Sequence, residues 1–235
     1  MQRVINFSGG KTSALMTIIE YKPTDLVIFC DTGREHPKTY KFINDFEAFE
    51  NIPIIRLTYE GGFKALIQKR KAIPNQDKRF CTVELKIKTA RRYLRSLKIM
   101  KYENFVGFRF DEQRRIKRRK QYWKTVKDVF PLNDYKLTKH HVNEYWKHKP
   151  YTLELEPILG NCVMCFQKGK DALISILMQY PEYATEWIED EKLMNYTYLK
   201  DYSMEELLKI ANYMKKVKQI DLFEVQPAFD CDCQA

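Results

Sequence analysis

Apolar and polar positions alternate in blocks over roughly the first 110 residues, in the order expected of strands followed by helices. The apolar run at residues 4–7 leads into a polar, glycine-containing turn, and residues 26–33 are an apolar strand pattern that ends in such a turn. Helix-patterned segments follow at residues 14–21 and 35–42. Continuous apolar runs of this length are typical of parallel strands that are buried on both faces. The same alternation predicts further strands at residues 52–57 and 105–108 and further helices at residues 63–71 and 83–97.

The second half of the chain is patterned differently. Residues 121–160 are less regular and contain a short predicted helix at residues 140–146. From Asp171 onward the pattern is helical, and Ser203 with Glu206 forms a capping box that opens the last helix. We therefore predict an α/β fold, a Rossmann-like parallel sheet with flanking helices and a helical C-terminal extension, divided into residues 1–130 and 131–235.

The turn after the first strand has the composition of a phosphate-binding loop. Residues 8–13, here called the phosphate loop, contain two glycines, which allow a tight turn with N–H groups pointing at an anion. Hydroxyl groups add donors, and the following helix contributes its positive N-terminal end. A Walker A loop would need glycine where Ile5 stands, so that motif is excluded. The residues predicted to bind phosphates are Ser8, Gly9, Gly10, Lys11, Thr12 and Ser13.

Four blocks in order carry a family resemblance. The phosphate loop resembles the Ser-Gly-Gly-x-Asp-Ser pyrophosphate loop (PP-loop) of the adenine nucleotide alpha hydrolases, with Thr12 in place of the aspartate. Residues 31–42 resemble the Asp-Thr-Gly…Pro-x-Thr-Tyr-x-Phe signature of the phosphoadenylyl-sulfate (PAPS) reductase family. Residues 78–86 resemble its Arg-x-Cys-Cys…Leu-Lys block, and residues 107–115 its Gly-x-Arg-x-x-Glu-Ser…Arg block. The resemblance covers roughly residues 1–170.

This resemblance implies a nucleotide site at the carboxyl ends of the strands. ATP would place its phosphates on the phosphate loop and its adenosine near Asp31 and Gly33. Mg²⁺ and Lys11 would offset charge as an acceptor oxygen attacks the alpha phosphorus and pyrophosphate leaves. We assign catalytic roles to Lys11 and Arg109, and the residues expected to hold phosphates of the substrate are Arg109, Arg114 and Arg115.

The six cysteines indicate metal or redox chemistry. A Cys-x-x-Cys pair at Cys162 and Cys165 suits zinc or an iron–sulfur cluster, and spacing alone does not choose between them. The resemblance favours a 4Fe–4S cluster on these two residues and Cys81, although Thr82 follows Cys81 where the family usually has a second cysteine. The fourth ligand is Cys231, Cys233, another molecule, or none. Cys30, inside an apolar strand, is predicted to be a core residue.

The charge of the chain indicates a polyanionic partner. The formal net charge is +10, and its densest cluster is residues 114–120, followed by Tyr122 and Trp123. Cations beside aromatic rings suit a single-stranded or looped nucleic acid, which predicts tRNA or DNA as substrate. Nucleotide phosphates or solvent would also account for part of this charge.

Three functions follow as alternatives. The first is an enzyme that adenylates an acceptor and supports sulfur insertion, with a sulfur donor protein. The second is a reductase of an activated sulfate nucleotide that releases sulfite, but the acidic neighbours of the tail cysteines would raise the pKa of a reactive thiol there. The third is a binding protein without turnover. No apolar run has transmembrane length, and Met1 enters a strand without room for a signal peptide, so we expect no membrane association and a cytoplasmic location.

Overall fold

Five parallel strands form the central sheet. A computed structural model describes residues 1–119 and 123–217, and it orders the strands β3-β2-β1-β4-β5. The chain therefore runs from β1 outward to β3 and then returns to the other side of β1. The carboxyl ends of β1 and β4 flank the point where the strand order reverses, which is where open α/β sheets bind ligands. The strands are β1 (Gln2–Asn6), β2 (Leu26–Asp31), β3 (Ile55–Thr58), β4 (Tyr102–Phe105) and β5 (Val126–Val129).

Helices connect the strands and form the C-terminal part. The helices of the sheet region are α1 (Lys11–Glu20), α2 (Pro37–Glu50), α3 (Gly62–Arg70), α4 (Lys88–Ser96), α5 (Gln113–Arg118), α6 (Pro131–Asp134) and α7 (Lys139–Lys147). A π-helix (Thr82–Ile87) precedes α4, and short 3-10 turns lie at Phe110–Glu112, Phe166–Lys168 and Pro181–Ala184. The C-terminal helices are α8 (Lys170–Gln179), α9 (Thr185–Met194) and α10 (Met204–Val217).

The sheet is buried on both faces, as its apolar runs predict. Ile5 and Phe29 pack on one face with side chains of α1, α2 and α7. Val4 and Ile28, their neighbours along the strands, pack on the other face against Leu94 of α4. Because alternate strand positions are buried on opposite faces, helices must cover both sides. The predicted α/β fold class is therefore confirmed.

The C-terminal helices have a core of their own. Leu173, Leu177 and Leu207 are fully buried in a cluster that joins α8, α9 and α10. The predicted capping box is present, because the Glu206 N–H donates to Ser203 Oγ at 3.2 Å and the Ser203 N–H donates to Glu206 Oε2 at 2.8 Å. The helical C-terminal extension is confirmed, whereas the division at residue 130 stays a prediction. Within the described ranges, no helix combines the length and apolar composition that crossing a membrane requires.

Two element predictions need correction, and one strand was not predicted. The strand predicted at residues 105–108 lies earlier in the chain, as β4, which ends at Phe105. The polar residue Asn104 interrupts the apolar pattern of this strand, and it is accommodated by hydrogen bonds across the sheet to Asn6 and Asp128. The helix predicted at residues 83–97 begins as a π-helix. β5 was not predicted, because this short edge strand has the charged residues Lys127 and Asp128 at its centre and shows no apolar run.

Candidate functional site

The phosphate loop connects β1 to α1 at the carboxyl edge of the sheet. Gly9 has φ +78°, and a Cβ at this position would lie 2.6 Å from Cγ2 of Thr39. Both the backbone conformation and the lack of space therefore require glycine. The absence of a side chain at Gly9 thus lets the loop pack directly on α2.

Hydroxyl groups stabilise the loop from inside. The Ser8 N–H donates to Ser13 Oγ at 3.0 Å, the two side-chain oxygens lie 2.9 Å apart, and Ser13 Oγ donates to the Gly10 carbonyl at 3.0 Å. Gly10 is the N-cap of α1, and no side chain caps the helix start. Helix N-terminal N–H groups attract anions, so the loop and α1 form a site suited to phosphate.

Two cations lie at this loop. Arg109, which is 4% exposed, donates from Nη1 to Thr12 Oγ1 at 3.1 Å. Its Nε donates to Asp111 Oδ1 at 3.1 Å, and its backbone N–H donates to Glu112 Oε2 at 3.0 Å. Partial burial lowers the pKa of Lys11 below its usual 10.5. The structure thus brings the two predicted catalytic residues to one loop from the ends of β1 and β4.

The end of β2 places the predicted adenosine residues beside this site. Asp31 Oδ1 accepts the Gly33 N–H at 2.8 Å and the Tyr40 hydroxyl at 2.7 Å. Burial and the Asp31 carboxylate raise the pKa of Tyr40, so that phenol stays a hydrogen-bond donor. Gly33 has φ +73°, with open space where a Cβ would be. Its exposed turn leaves room for a ligand, and the adenosine role stays a prediction.

The basic cluster is partly engaged with the protein itself. Arg115 pairs with Glu112 and lies with its guanidinium 4.5 Å from the Phe108 ring centre. Arg119 pairs with Asp128 at 2.9 Å. Trp123 lies 5.3 Å from the guanidinium of Arg91 and packs with the core on the α4 face. The cluster residues exposed on α5 are Arg114, Lys117 and Arg118, while Lys120 and Tyr122 lie outside the described residues.

The predicted thiols Cys81, Cys162 and Cys165 line one cavity of about 500 Å³, measured with the open space at its mouth and here called the thiol cavity. Thiols are ligands of zinc and of iron–sulfur clusters, so the donor type fits such a group. Over residues 1–119 and 123–217, however, no three His, Cys, Asp or Glu side chains are arranged to hold a metal ion. Metal binding therefore stays a proposal.

A buried carboxylate in the wall of the thiol cavity had no sequence signal. Glu35 lies 3.5 Å from the ammonium of Lys86, and the two side chains are 0% and 7% exposed. Thr32 Oγ1 donates to Glu35 Oε1 at 3.0 Å. No described residue bonds the second carboxylate oxygen, Oε2. An isolated Glu and Lys in a sequence predict solvent exposure, so only the structure reveals this pair.

The other cysteines lie elsewhere. Cys30 is buried in β2, and burial raises the pKa of its thiol to about 12, so this thiol stays protonated at neutral pH. Its prediction as a core residue is confirmed. Cys231 and Cys233, the predicted tail ligands, lie outside the described residues.

The cysteine loop, residues 161–165, is fastened to the turn that follows β2. The Val163 N–H donates to the Arg34 carbonyl at 3.1 Å, and Glu35 and Cys162 form an antiparallel bridge. Lys168, which is 9% exposed, donates from Nζ to the Cys162 carbonyl at 2.8 Å and to the Val163 carbonyl at 3.0 Å. These bonds hold the thiol pair beside the carboxyl edge of the sheet.

The same turn anchors the C-terminal helices. Arg34 Nη2 lies 2.7 Å from Asp190 Oδ2 of α9, and Tyr198 donates its hydroxyl to that oxygen at 2.9 Å. The guanidinium of Arg34 lies 4.9 Å from the Trp187 ring centre and also pairs with Glu186. Arg34 thus joins the sheet, the cysteine loop and the helical extension.

His36 closes this contact region. Its Nδ1 accepts the Lys38 N–H at 3.0 Å, which caps α2, and its Nε2 lies 3.0 Å from the Tyr183 hydroxyl. Burial lowers the pKa of His36, so its ring favours the neutral form that these two bonds require. These two bonds join the start of α2 to Tyr183 in the C-terminal part of the chain.

Two known proteins are similar to this chain in sequence. An uncharacterised nin region protein of Escherichia phage lambda is 29% identical over 200 residues, which are 72% of this chain and 67% of the phage protein. An uncharacterised protein of Methanocaldococcus jannaschii is 33% identical over 109 residues, which are 45% of this chain and only 22% of the archaeal protein.

A solved structure and a family profile complete the comparison. The crystal structure of PAPS reductase from Candida auris, a phosphate complex, has a TM-score of 0.46 and 15% identity, covering 65% of this chain and 76% of that one. Residues 2–153 match the profile of the phosphoadenosine phosphosulfate reductase domain. Since this match covers more than half of the sequence, the chain belongs to the phosphoadenosine phosphosulfate reductase domain family.

Proposed function

We propose that the protein binds ATP on the phosphate loop and transfers its adenylyl group to an acceptor, releasing pyrophosphate, as a step toward sulfur insertion. One observation carries the proposal: Arg109 is held at Thr12, so that its charge and that of Lys11 converge on the loop. This pair lies beside the reversal of strand order, where family membership and general α/β geometry both support a nucleotide.

The chemistry assigned to the site is a displacement at the alpha phosphorus. An acceptor oxygen forms a bond to that phosphorus as the bond to the bridging oxygen of pyrophosphate breaks. The N-terminal N–H groups of α1, Lys11 and Arg109 stabilise the negative charge that develops on the phosphates. Mg²⁺, when bound with ATP, neutralises part of the phosphate charge. A sulfur nucleophile from a donor protein then displaces AMP from the acceptor.

We assign the acceptor to nucleic acid, either tRNA or DNA. The net charge of +10 and the three exposed cations of α5 support this assignment. Helix α5 follows Arg109 by a few residues, so a phosphate backbone on Arg114, Lys117 and Arg118 would pass close to the loop. Arg115 contributes less, since its charge is paired with Glu112.

The test of the acceptor is pyrophosphate release from ATP and Mg²⁺ with and without nucleic acid. We expect tRNA or single-stranded DNA to stimulate release by at least about ten-fold, with a stimulation that falls as salt rises, because phosphate contacts release counterions. The triple variant Arg114→Ala, Lys117→Ala and Arg118→Ala should reduce the stimulation. Sulfite release from an activated sulfate nucleotide, without pyrophosphate release from ATP, would favour a reductase instead.

The thiols Cys81, Cys162 and Cys165 are proposed to hold a 4Fe–4S cluster, with zinc as the alternative. Such a cluster, when bound, supplies a site at which sulfur can be carried. We expect anaerobically purified protein to be brown, with about four iron atoms per chain. Cys81→Ser should lower the iron content, whereas Cys30→Ala, outside the thiol cavity, should leave it unchanged. Stoichiometric zinc without iron would replace the cluster by a zinc site.

A further inference from the structure

One buried side chain connects the phosphate loop with the cysteine loop. Asn161 is 4% exposed and donates from Nδ2 to the Ser8 carbonyl at 2.8 Å, across 153 positions of sequence. The carbonyl of Asn161 itself accepts the His36 N–H at 2.6 Å. Asn161 therefore bonds the phosphate loop through its side chain and the turn after β2 through its backbone.

The bond to Ser8 sets the direction of a donor in the phosphate loop. A trans peptide is planar, so its carbonyl and N–H groups point in opposite directions. Holding the Ser8 carbonyl toward Asn161 turns the N–H of Gly9 to the other side of the loop. Gly9 has φ +78° and packs on α2, so the orientation of this peptide also depends on its glycine. The amide of Asn161 thus helps to fix a donor that a phosphate would use.

The bond to His36 acts in the same way on the cysteine loop. Holding the Asn161 carbonyl toward His36 turns the Cys162 N–H to the opposite side. The backbone of Cys162 forms the antiparallel bridge with Glu35, whose side chain lines the thiol cavity. A movement of the phosphate loop that displaces Ser8 would therefore pull on the residue that precedes Cys162.

We propose that Asn161 is a positioning residue that couples nucleotide binding at the phosphate loop to the placement of Cys162 in the thiol cavity. The proposal rests on the nucleotide site of the proposed function and needs no metal. Its physical basis is that the buried side-chain amide of Asn161 bonds a carbonyl of the phosphate loop, while the backbone of Asn161 is part of the cysteine loop. Loss of that amide would leave a buried carbonyl without its partner and would separate the two loops.

The test compares thiol reactivity with nucleotide affinity in the full chain. Full-length protein is first freed of any bound iron or zinc with a chelator, which is then removed. The protein is alkylated with iodoacetamide under anaerobic conditions, with and without α,β-methylene-ATP and Mg²⁺, and labelling of Cys162 and Cys165 is followed by peptide mass spectrometry. Calorimetry measures binding of the same analogue. The variants are Asn161→Ala and Asn161→Asp, which keeps the shape but removes the donor. The control is Asp25→Ala, since Asp25 is 9% exposed, accepts the Lys22 N–H at 3.0 Å and directly precedes β2, at the edge of the sheet opposite to both loops.

We expect the analogue to change the labelling rate of the wild-type pair by at least about five-fold, a usual coupling between sites. Both Asn161 variants should reduce this change to less than about two-fold and weaken analogue binding. The control variant should keep the change in labelling rate, even though its melting temperature falls by an amount similar to that of the Asn161 variants. The proposal is overturned if the Asn161 variants keep the nucleotide-dependent change, if the control loses it equally, or if wild-type protein binds the analogue without any change. Absence of analogue binding in wild-type protein would instead contradict the proposed function.

Discussion

Replacing Asp190 with alanine is expected to lower the free energy of unfolding by about 3–5 kcal/mol, the usual cost of removing one partner of a buried ion pair. The Asp190 side chain is 2% exposed and faces the buried guanidinium of Arg34 at 2.7 Å. Burial raises the pKa of Asp190 while Arg34 opposes that shift, so the carboxylate depends on its partner. Without Asp190, the buried guanidinium of Arg34 would lose its buried negative partner, and the Tyr198 hydroxyl would lose its acceptor.

Glu186→Ala is the matched control, because Glu186 pairs with the same arginine but its side chain is 61% exposed. Exposed ion pairs contribute about 0–1 kcal/mol. Urea denaturation of both variants measures the difference directly. If the two variants lose the same free energy of unfolding, the burial of the Arg34–Asp190 ion pair is not what makes it anchor the helical extension.

Replacing Arg109 with alanine is expected to lower the rate of pyrophosphate release by about 10²–10³, the range for removing one donor that stabilises developing charge. The guanidinium is 4% exposed and reaches Thr12 at 3.1 Å, so the protein's own contacts position it at the loop. Arg109→Lys keeps the charge but loses the planar fork, and we expect an intermediate rate. Steady-state kinetics with ATP and nucleic acid measure both effects.

Arg3→Ala serves as the control for that variant. Arg3 is also paired with carboxylates, with Glu20 at 2.9 Å and Asp25 at 3.7 Å, but it lies at the start of β1 and away from the carboxyl edge. We expect its loss to affect stability more than the chemical rate. If Arg109→Ala keeps the wild-type rate while remaining folded, Arg109 has no part in the reaction.

Local sequence patterns were sufficient for the parallel sheet as a fold class and for the turn between β1 and α1, although they missed β5 and misplaced β4. The loop is contiguous, and its glycines, hydroxyls and lysine lie between an apolar run and a helix pattern, so every signal falls within one short window. The capping box of α10 is local in the same way. Arg109 and Cys81 were predicted through the family resemblance, whereas Cys162 and Cys165 were predicted from their spacing. The structure brings Arg109 to a loop 97 positions away.

Long-range polar contacts were not predictable from the sequence. Arg34 and Asp190 lie 156 positions apart, and Asn161 and Ser8 lie 153 apart. Nothing in the neighbourhood of these residues distinguishes them from solvated polar residues, because burial is decided by packing between distant elements. The π-helix before α4 was missed for a related reason, since one extra residue per turn leaves the apolar pattern of a short segment almost unchanged.

The most direct test of the central claim is the identity of the products formed from ATP. Wild-type protein is incubated with ATP, Mg²⁺ and the stimulating nucleic acid, and the phosphorus-containing products are identified by nuclear magnetic resonance and chromatography. Attack at the alpha phosphorus predicts pyrophosphate together with AMP or an adenylated nucleic acid, and both should disappear in Gly9→Ala, where a Cβ would lie 2.6 Å from Thr39 Cγ2. Formation of ADP and orthophosphate would contradict the account, because it would place the attack at the gamma phosphorus.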